Sequence, residues 1–370
     1  MNPCPGCLRL PTTFVINGRF GVQRVSGVQR VARGLLKAID GSSGSDFGQW
    51  NLLSPAGASW PLLQRVKVVV ARFPLGAGHL WEQTAVAAAA ARGGRILNIA
   101  GSGPWFGGPQ VSWLHDAAVF DHPQAYRPAF VRWYRALFLH RARRGDCLIT
   151  PSEHARQRLA HHLAVPPSRL HVLPHGADHL DAVVADRGLL TRLGLRPGGY
   201  WLCVASRNPN KNLSRLLRAH GRAGSGLPLV LAGGSDRRVF SEEVGAVATH
   251  RLRVLQDPSD AALKALILGA RALLVPSIAE GFGLPALEAQ RLGCPVLAAR
   301  AGALPEVCGD AALYVDPFSE DEMAAGLDRM ASDEALVANL RIAGALHAAP
   351  YTWARAATSL QALLRQEATP

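Results

Sequence analysis

The sequence predicts an α/β protein with two domains, each built on a parallel β-sheet that helices cover on both faces. The chain has 370 residues, which is long for one hydrophobic core and fits two domains of roughly 150–200 residues each. Short apolar runs alternate with stretches compatible with helices, and this alternation occurs twice along the chain. The pattern is typical of buried parallel strands joined by crossover helices.

The apolar runs form two series separated by a polar segment. The first series occupies residues 13–16, 66–71, 95–99, 111–114 and 146–150. The second occupies residues 200–205, 227–232, 251–255, 272–276 and 295–299. Residues 187–199 between them are polar and contain the run Arg-Pro-Gly-Gly, which is typical of a linker. Residues 352–364 have the pattern of a final amphipathic helix.

Composition restricts the class of protein. Hydrophobic residues make up 48% and charged residues 18% of the chain, as in a globular protein and unlike a disordered one. The chain has no run of about 18 apolar residues, and its N-terminus lacks a basic stretch followed by an apolar one. We therefore expect a cytoplasmic protein.

Positive charge is concentrated in the first half. The net charge is +13, and residues 1–185 hold 20 Lys and Arg against 9 Asp and Glu, a surplus of 11. Residues 186–370 hold 20 against 18, a surplus of 2. A basic half indicates an anionic partner, namely membrane lipid, nucleic acid or a phosphorylated substrate. Residues 130–144 are basic and aromatic at helical spacing, which fits either a core helix or a helix on a membrane surface.

Cys4 and Cys7 have the spacing of half a zinc or redox site. Four zinc ligands would need a second pair, and none lies nearby in the sequence. The other four cysteines lie in or beside apolar segments, where a buried thiol acts as a small hydrophobe. We expect an N-terminal tail without a metal.

Residues 276–288 are the most informative segment of the chain. Gly281 and Gly283 allow the backbone to bend or to approach a ligand, and Pro285 suits the first turn of a helix. Amides at that helix start can bind an anion or a hydroxyl group. Glu280 and Glu288 would stand at one edge of the same site and suit polyhydroxyl groups. The alternative is that both are acids favoured near a helix start by the helix dipole.

A lysine follows the first strand of the second series. The segment Ser206-Arg207-Asn-Pro-Asn-Lys211 comes directly after residues 200–205. A lysine at the mouth of a strand-to-helix turn is well placed to neutralise a leaving diphosphate. The alternative is a solvent-exposed turn lysine.

The spacing of Glu280 and Glu288 resembles the E-x7-E motif of the retaining family-4 glycosyltransferases. Segments 293–297, 303–312 and 316–317, and the segment that ends at Lys211, are similar to the same family. Many members carry an arginine five residues before that lysine, where this chain has Ser206, with Arg207 one place later.

The resemblance implies the GT-B fold, two Rossmann-like parallel-sheet domains facing across a cleft. It implies an acceptor-binding domain at residues 1–185 and a nucleotide-sugar-binding domain at residues 186–349. Residues 350–370 would form a C-terminal helix that packs back on the first domain.

The first half is similar to the same family more loosely. Gly27 lies in a segment that resembles the glycine-containing loop under the donor phosphates. His115 and Asp116 follow an apolar strand and resemble the strand-end His-Asp of mannosyltransferase-like members, whose histidine faces the transferred sugar. By itself, such a pair is more often a structural histidine whose hydrogen bonds are satisfied within the fold.

The resemblance implies a role for each site residue. Lys211 would stabilise the leaving diphosphate, Glu288 would bind the ribose hydroxyls, and Glu280 would contact the transferred sugar. His115 would orient that sugar, and Asp116 would fix the histidine or touch the acceptor. The predicted donor-binding set is Gly27, Ser206, Arg207, Lys211, Gly281, Phe282, Gly283, Leu284 and Glu288. Retention of the anomeric configuration is implied by the family alone.

The implied substrates are a nucleoside-diphosphate sugar and an acceptor. The His-Asp pattern favours GDP-mannose, with UDP- and dTDP-sugars left open. The acceptor would be a glycan or a polyprenyl-diphosphate-linked glycan of bacterial surface polysaccharide synthesis, which would bring the protein to the inner face of the membrane. We expect no cofactor, and no metal because the chain lacks Asp-x-Asp.

Two other classes stay open at this point. A sugar-nucleotide epimerase can share the GT-B fold, and the positive charge fits a nucleic-acid-binding protein. Because no nucleic-acid-binding motif occurs in the sequence, we expect no nucleic-acid partner.

Overall fold

A computed structural model of the chain describes residues 13–42, 49–73, 76–108, 110–204, 206, 208–233 and 251–367. The chain divides into two compact units, residues 1–176 with 352–370 and residues 177–351. Cys4, Cys7 and Arg207 lie outside the described residues. Each unit contains one parallel sheet with helices packed against it.

The first unit is built on a sheet with the strand order β3-β2-β1-β4-β5-β6-β7, in which every pairing is parallel. Its strands are β1 (Thr13–Asn17), β2 (Gln49–Pro55), β3 (Lys67–Ala71), β4 (Arg95–Asn98), β5 (Gln110–Trp113), β6 (Cys147–Thr150) and β7 (Leu170–Val172). Its helices include α1 (Gly27–Gly41), α2 (the consecutive turns His79–Trp81, Glu82–Val86 and Ala87–Ala90), α3 (Ala118–Asp121), α4 (Pro128–Arg144) and α5 (Glu153–Leu163).

The second unit is built on a parallel sheet with the strand order β10-β9-β8-β11-β12-β13. Its strands are β8 (Trp201–Val204), β9 (Leu229–Gly233), β10 (Leu252–Gln256), β11 (Ala272–Val275), β12 (Val296–Ala299) and β13 (Leu313–Val315). Its helices include α6 (Leu189–Arg192), α7 (Leu213–Arg222), α8 (Asp260–Gly269), α9 (Leu284–Arg291), α10 (Leu304–Cys308), α11 (Glu320–Ser332) and α12 (Glu334–Ala348). No helix in the described ranges is long and apolar enough to cross a bilayer.

Both faces of the second sheet are buried. Successive residues of a strand point to opposite faces, so Leu202 joins the core on one side while Trp201 and Cys203 join the core on the other. All three side chains are almost completely buried. Since the faces are filled by apolar side chains, a ligand can reach the sheet only at the strand ends.

Each sheet has a point where the chain reverses its direction of strand addition. In the first sheet this switch lies between β1 and β4, and in the second it lies between β8 and β11. Ligands of open α/β sheets bind beside the carboxyl ends of the strands at such a switch. The loops after β8 and β11 are therefore the favoured ligand-binding segments of the second unit.

The strands that lie outside the predicted series include β2 and β13. In β2, polar Gln49 and Asn51 interrupt the apolar run, and β2 forms because it pairs with β1 along its length. The strand β13 has three residues and pairs with β12. Neither strand has enough local pattern to be recognised without its neighbour.

The boundary between the two units lies in the sequence between residues 176 and 177, nine residues before the boundary predicted at 185–186. Leu180 is fully buried in the core of the second unit, and Leu189 and Leu195, from the segment interpreted as a linker, are buried in the same core. That segment contains α6. These residues belong to the second unit because their side chains are buried in its core. The polar composition of the segment does not indicate this burial.

The C-terminal helix α13 (Trp353–Gln366) belongs to the first unit, where it packs against α1. The two helices approach closely because Gly34 on α1 has no side chain. A Cβ atom at Gly34 would overlap the indole ring of Trp353, and one at Gly176 would overlap the Trp353 backbone. The side chain of Gln361 also donates to the Ser42 hydroxyl at 2.8 Å.

We expect Gly34→Ala to destabilise the first unit by about 1–2 kcal/mol, because overlap with the Trp353 ring outweighs the better helix propensity of alanine. Gly41→Ala in the same helix is the matched control, since no atom of the described residues lies within 4 Å of its Cβ position. Urea unfolding of both variants measures the difference. Equal stability of the two variants would contradict this account of the α1–α13 contact.

Candidate active site

The loop after β8 carries Lys211 in a short 3-10 turn, Pro209–Lys211. The Asn208 side chain accepts a hydrogen bond from the Asn210 amide at 3.0 Å, and this closes the turn. Asn212 adopts a left-handed conformation with φ of 56°, which asparagine tolerates better than most residues. The chain leaves this turn directly into α7.

The same loop is joined to the end of β11. The Asn212 side-chain amide donates to the carbonyls of Pro276 at 3.0 Å and Pro317 at 2.7 Å. The backbone amide of Ile278 donates to the Asn210 carbonyl at 2.9 Å. These bonds hold the segment with Lys211 beside the segment with Glu280, although the two are far apart in the sequence.

Lys211 and Glu280 form an ion pair. The Lys211 Nζ lies 2.6 Å from Glu280 Oε1, with 24% of the lysine side chain and 12% of the glutamate side chain exposed. Partial burial strengthens the attraction because less water screens the charges. The two residues that the sequence assigns to diphosphate and sugar thus occupy one place, at the carboxyl ends of the strands that flank the switch.

Glu280 is held by a close backbone approach. Its amide nitrogen and carbonyl oxygen lie 2.7 and 2.8 Å from the position that a Cβ atom of Gly302 would take. The Ala303 amide donates to the Glu280 carbonyl at 3.0 Å. Gly302 has φ of 60°, so both the local conformation and the close approach require glycine there.

The segment after Glu280 leads into α9. Gly283 precedes the helix with φ of 90°, and Pro285 occupies its first turn. The side chains of Phe282 and Leu284 are buried, so a ligand at this loop would meet their backbone and not their side chains. Gly281 lies between these residues and Glu280.

Glu288 lies on α9 and is 2% exposed. The helix begins at Leu284, so Glu288 stands at the start of its second turn. Its Oε1 lies 3.0 Å from the Nε2 of His179. The contact could not be predicted from the sequence, because no motif around His179 points to α9.

His115 follows β5 in the first unit. Part of the ring is exposed, but the surrounding protein desolvates it and lowers its pKa to about 4, so the imidazole is neutral at physiological pH. Its Nε2 lies 2.7 Å from the Ile99 carbonyl and donates to it. The His175 ring stands 5.5 Å away, and burial holds the pKa of His175 well below its usual value.

Asp116 has a local contact of its own. Its Oδ1 accepts a hydrogen bond from the Ala118 amide at 2.8 Å at the start of α3. Gly27 is the first residue of α1, and Ser26 and Gln29 form a capping box at the start of this helix. No described atom lies within 4 Å of the position that a Cβ atom of Gly27 would take. Ser206 is exposed after β8.

One group of described residues has the composition of a metal site. Potential ligand atoms of Cys147, His171 and Glu367 lie within 4.8 Å of one another in the first unit. Cys147 begins β6, so this group stands away from the carboxyl ends of the strands. The Arg95 guanidinium lies 3.8 Å from Glu367 and competes for its carboxylate, and burial raises the pKa of the Cys147 thiol to about 12.

Comparison with protein families accounts for most of both units. Residues 198–347 match the model of the glycosyl transferases group 1, and residues 49–179 match that of Glycosyltransferase Family 4. The chain belongs to the family-4 glycosyltransferases. The lysine turn and both glutamates lie within the first of these matches.

Individual relatives of this glycosyltransferase include mannosyltransferases. The O-antigen chain mannosyltransferase B of Escherichia coli is 27% identical over 261 residues, covering 67% of this chain and 68% of the relative. The MMP alpha-(1->4)-mannosyltransferase of Mycolicibacterium hassiacum is 33% identical over 217 residues, covering 55% of this chain and 50% of the relative. The chain thus spans only half the length of the second relative.

Solved structures identify the fold of this glycosyltransferase as GT-B. The sucrose-phosphate synthase from Thermosynechococcus elongatus aligns with a TM-score of 0.75 at 19% identity, covering 96% of this chain and 98% of that one. The predicted fold of two Rossmann-like parallel-sheet domains is therefore confirmed.

We expect Gly302→Ala to abolish most glycosyltransferase activity, because the added methyl group displaces the Glu280 backbone. Gly226→Ala is the matched control, since Gly226 also has positive φ, at 66°, but no atom in the described part of the chain lies within 4 Å of its Cβ position. Both variants should lose about 1–2 kcal/mol of stability to the left-handed conformation. Thermal unfolding and initial rates measured together test this, and equal loss of activity in the two variants would contradict it.

Proposed function

We propose that this glycosyltransferase moves a hexose, with mannose favoured, from a nucleoside-diphosphate sugar to a glycan acceptor. The observation that carries the proposal is the Lys211–Glu280 pair at the switch point of the second sheet, with Glu288 buried on the adjoining helix. A lysine–carboxylate pair at the strand ends, with a second carboxylate on the helix that follows, suits a diphosphate joined to two sugars. The names of the two mannosyltransferase relatives support mannose, and GDP-mannose is the proposed donor.

Lys211 would stabilise the negative charge that develops on the diphosphate as the sugar leaves. Without donor, that charge is compensated by Glu280 at 2.6 Å. A bound diphosphate would replace the carboxylate as the partner of the lysine. Glu280 would then be free to accept hydrogen bonds from the hydroxyls of the transferred sugar and to face its cationic transition state.

The remaining site residues would bind and orient the donor. Glu288 would accept hydrogen bonds from the ribose, and backbone amides near residues 281–284 would face the diphosphate. His115, which is neutral because its pKa is about 4, would orient the sugar as an uncharged group. Its Nε2 is already engaged by the Ile99 carbonyl, which leaves Nδ1 as a hydrogen-bond acceptor.

We further propose that transfer proceeds with retention and without a metal ion. Retention follows the family resemblance, and the proposed charge compensation by Lys211 would leave no need for a divalent cation at the diphosphate. Release of the nucleoside diphosphate only in the presence of an acceptor would distinguish a transferase from a sugar-nucleotide epimerase of the same fold.

Nucleotide binding is the first test. Calorimetry of the purified chain with GDP, UDP and dTDP should show one saturable ligand, GDP by our proposal. Lys211→Ala and Glu288→Ala should each weaken binding about tenfold or more, because each removes a charged hydrogen-bonding group. Lys67→Ala, an exposed lysine on β3 in the first unit, should leave binding unchanged.

Turnover is measured with the same proteins. Incubation with GDP-mannose and a mannose-terminated oligosaccharide should release GDP and give an α-linked product in the NMR spectrum, with equal rates in EDTA. Absence of nucleotide binding by folded protein, or loss of binding in the Lys67 variant alone, would refute the proposed donor site. A β-linked product would refute retention.

The acceptor is proposed to be a growing surface glycan carried on a polyprenyl diphosphate at the inner face of the membrane. The exposed side chains of the helix α4 support a contact with the membrane. Arg141 is buried against Asp146 at 3.0 Å and packs within the fold, whereas Arg132, Arg143 and the ring of Phe130 are exposed. Exposed arginines with an aromatic ring suit the surface of an anionic bilayer.

We expect the protein to sediment with vesicles of phosphatidylglycerol and to be released by salt, because the attraction is electrostatic. Arg132→Glu combined with Arg143→Glu should reduce the bound fraction severalfold. Arg187→Glu combined with Arg196→Glu changes the net charge equally on exposed positions of the second unit and should have little effect. Equal loss in both double variants would contradict a membrane contact at α4.

A further inference from the structure

A buried carboxylate needs polar partners, and one partner of Glu288 is His179. The Glu288 side chain is 3% exposed, and its Oε1 lies 3.0 Å from the Nε2 of His179, whose side chain is 13% exposed. Burial of an ionised carboxylate without facing polar groups is costly. The imidazole is therefore one of the groups that can orient Glu288 inside the second unit.

The backbone that carries His179 is firmly held. His179 lies in the short 3-10 turn Asp178–Leu180, and the adjacent Leu180 is fully buried in the core of the second unit. The Lys264 Nζ on α8 donates to the carbonyls of Leu180 at 2.9 Å and Asp181 at 2.8 Å. A side chain on such a turn can orient its partner without moving to meet it.

A second bridge joins the same turn to α9. The Arg291 guanidinium donates to the Asp181 carboxylate, from Nε at 2.9 Å and from a terminal nitrogen at 2.7 Å. Glu288 and Arg291 are three residues apart and lie on one face of the helix. His179 and Asp181 are two residues apart on the turn, so two polar bridges fix the turn against the helix that carries Glu288.

We propose that His179 is a positioning residue that holds the Glu288 carboxylate in the orientation that receives the ribose hydroxyls of the donor nucleotide. The inference rests on the proposed function of Glu288. The imidazole Nε2 faces Oε1 of Glu288 at 3.0 Å, and this contact would limit rotation of the carboxylate. A carboxylate held in this way does not have to be ordered when the nucleotide binds.

Selection of ribose over deoxyribose follows from this arrangement. A site built to hydrogen-bond a hydroxyl rejects the analogue that lacks it, because the buried polar group is then left unpaired. The discrimination depends on a fixed carboxylate, since a mobile one can turn towards another partner. His179 would thus favour GDP and UDP over 2′-deoxynucleotides, including dTDP.

Calorimetry of the full chain with GDP and UDP, each beside its 2′-deoxy analogue, tests the proposal. The wild type should bind the better ribonucleotide about tenfold more tightly than its 2′-deoxy form. His179→Asn should bring that ratio close to one, because the shorter amide cannot reach Glu288. His179→Gln, whose longer side chain can still bring a polar amide up to Glu288, should keep most of it.

His347→Gln is the matched control. His347 is a half-buried histidine of the second unit, its Nε2 is 2.8 Å from the Val307 carbonyl, and the ratio should be unchanged in this variant. A His179→Asn protein that binds both forms more weakly but keeps the wild-type ratio would overturn the proposal, because that is the effect of a purely structural histidine. Thermal unfolding of each variant shows whether it is folded at the temperature of the titration.

Failure of the proposed function has a different result. If the wild type binds no nucleotide, or if Glu288→Ala keeps the full ribose preference, then Glu288 is not the ribose ligand. If Glu288→Ala loses the preference and His179→Asn keeps it, Glu288 stands as the ribose ligand and the role of His179 is refuted.

Discussion

The constraint on which the proposed site depends is the burial of both faces of the second parallel sheet. Strands such as β8 and β11 contribute apolar side chains to two cores at once, so they have no position for a polar functional group. Polar chemistry is therefore confined to the loops at the strand ends. Lys211 and Glu280 both occupy such loops, on neighbouring strands, and the sheet brings them to 2.6 Å across 69 residues of sequence.

The loops depend on the sheet in turn. Hydrogen bonds from Asn212 and Ile278 tie the lysine turn to the end of β11, and the close approach of Gly302 sets the backbone of Glu280. Each contact joins segments that follow different strands, and none would form without the sheet beneath them. The ion pair is thus prepared before any ligand binds, and little reorganisation of charge is required when a diphosphate replaces the carboxylate.

Burial also decides the charge state of individual groups. Desolvation keeps His115 neutral by lowering its pKa to about 4, and its proton is directed to the Ile99 carbonyl. Glu288 is 2% exposed and faces His179, and the nearby Arg291 is paired with Asp181. Two side chains that look alike in a motif, Glu280 and Glu288, are consequently held by different partners, one by a lysine and one by a histidine.

The sequence by itself determined the α/β class, the doubling of the sheet, and the lysine and glutamate motifs, because apolar periodicity and strand-end motifs are local properties of the chain. Only the tertiary structure decided where the units divide, since Leu180 and Leu189 belong to the second core by burial and not by any local pattern. The strand β2 exists through its pairing with β1, and the contact of His179 with Glu288 joins residues 109 positions apart. Such contacts depend on how segments that are far apart in the sequence pack together, and the local sequence pattern does not indicate them.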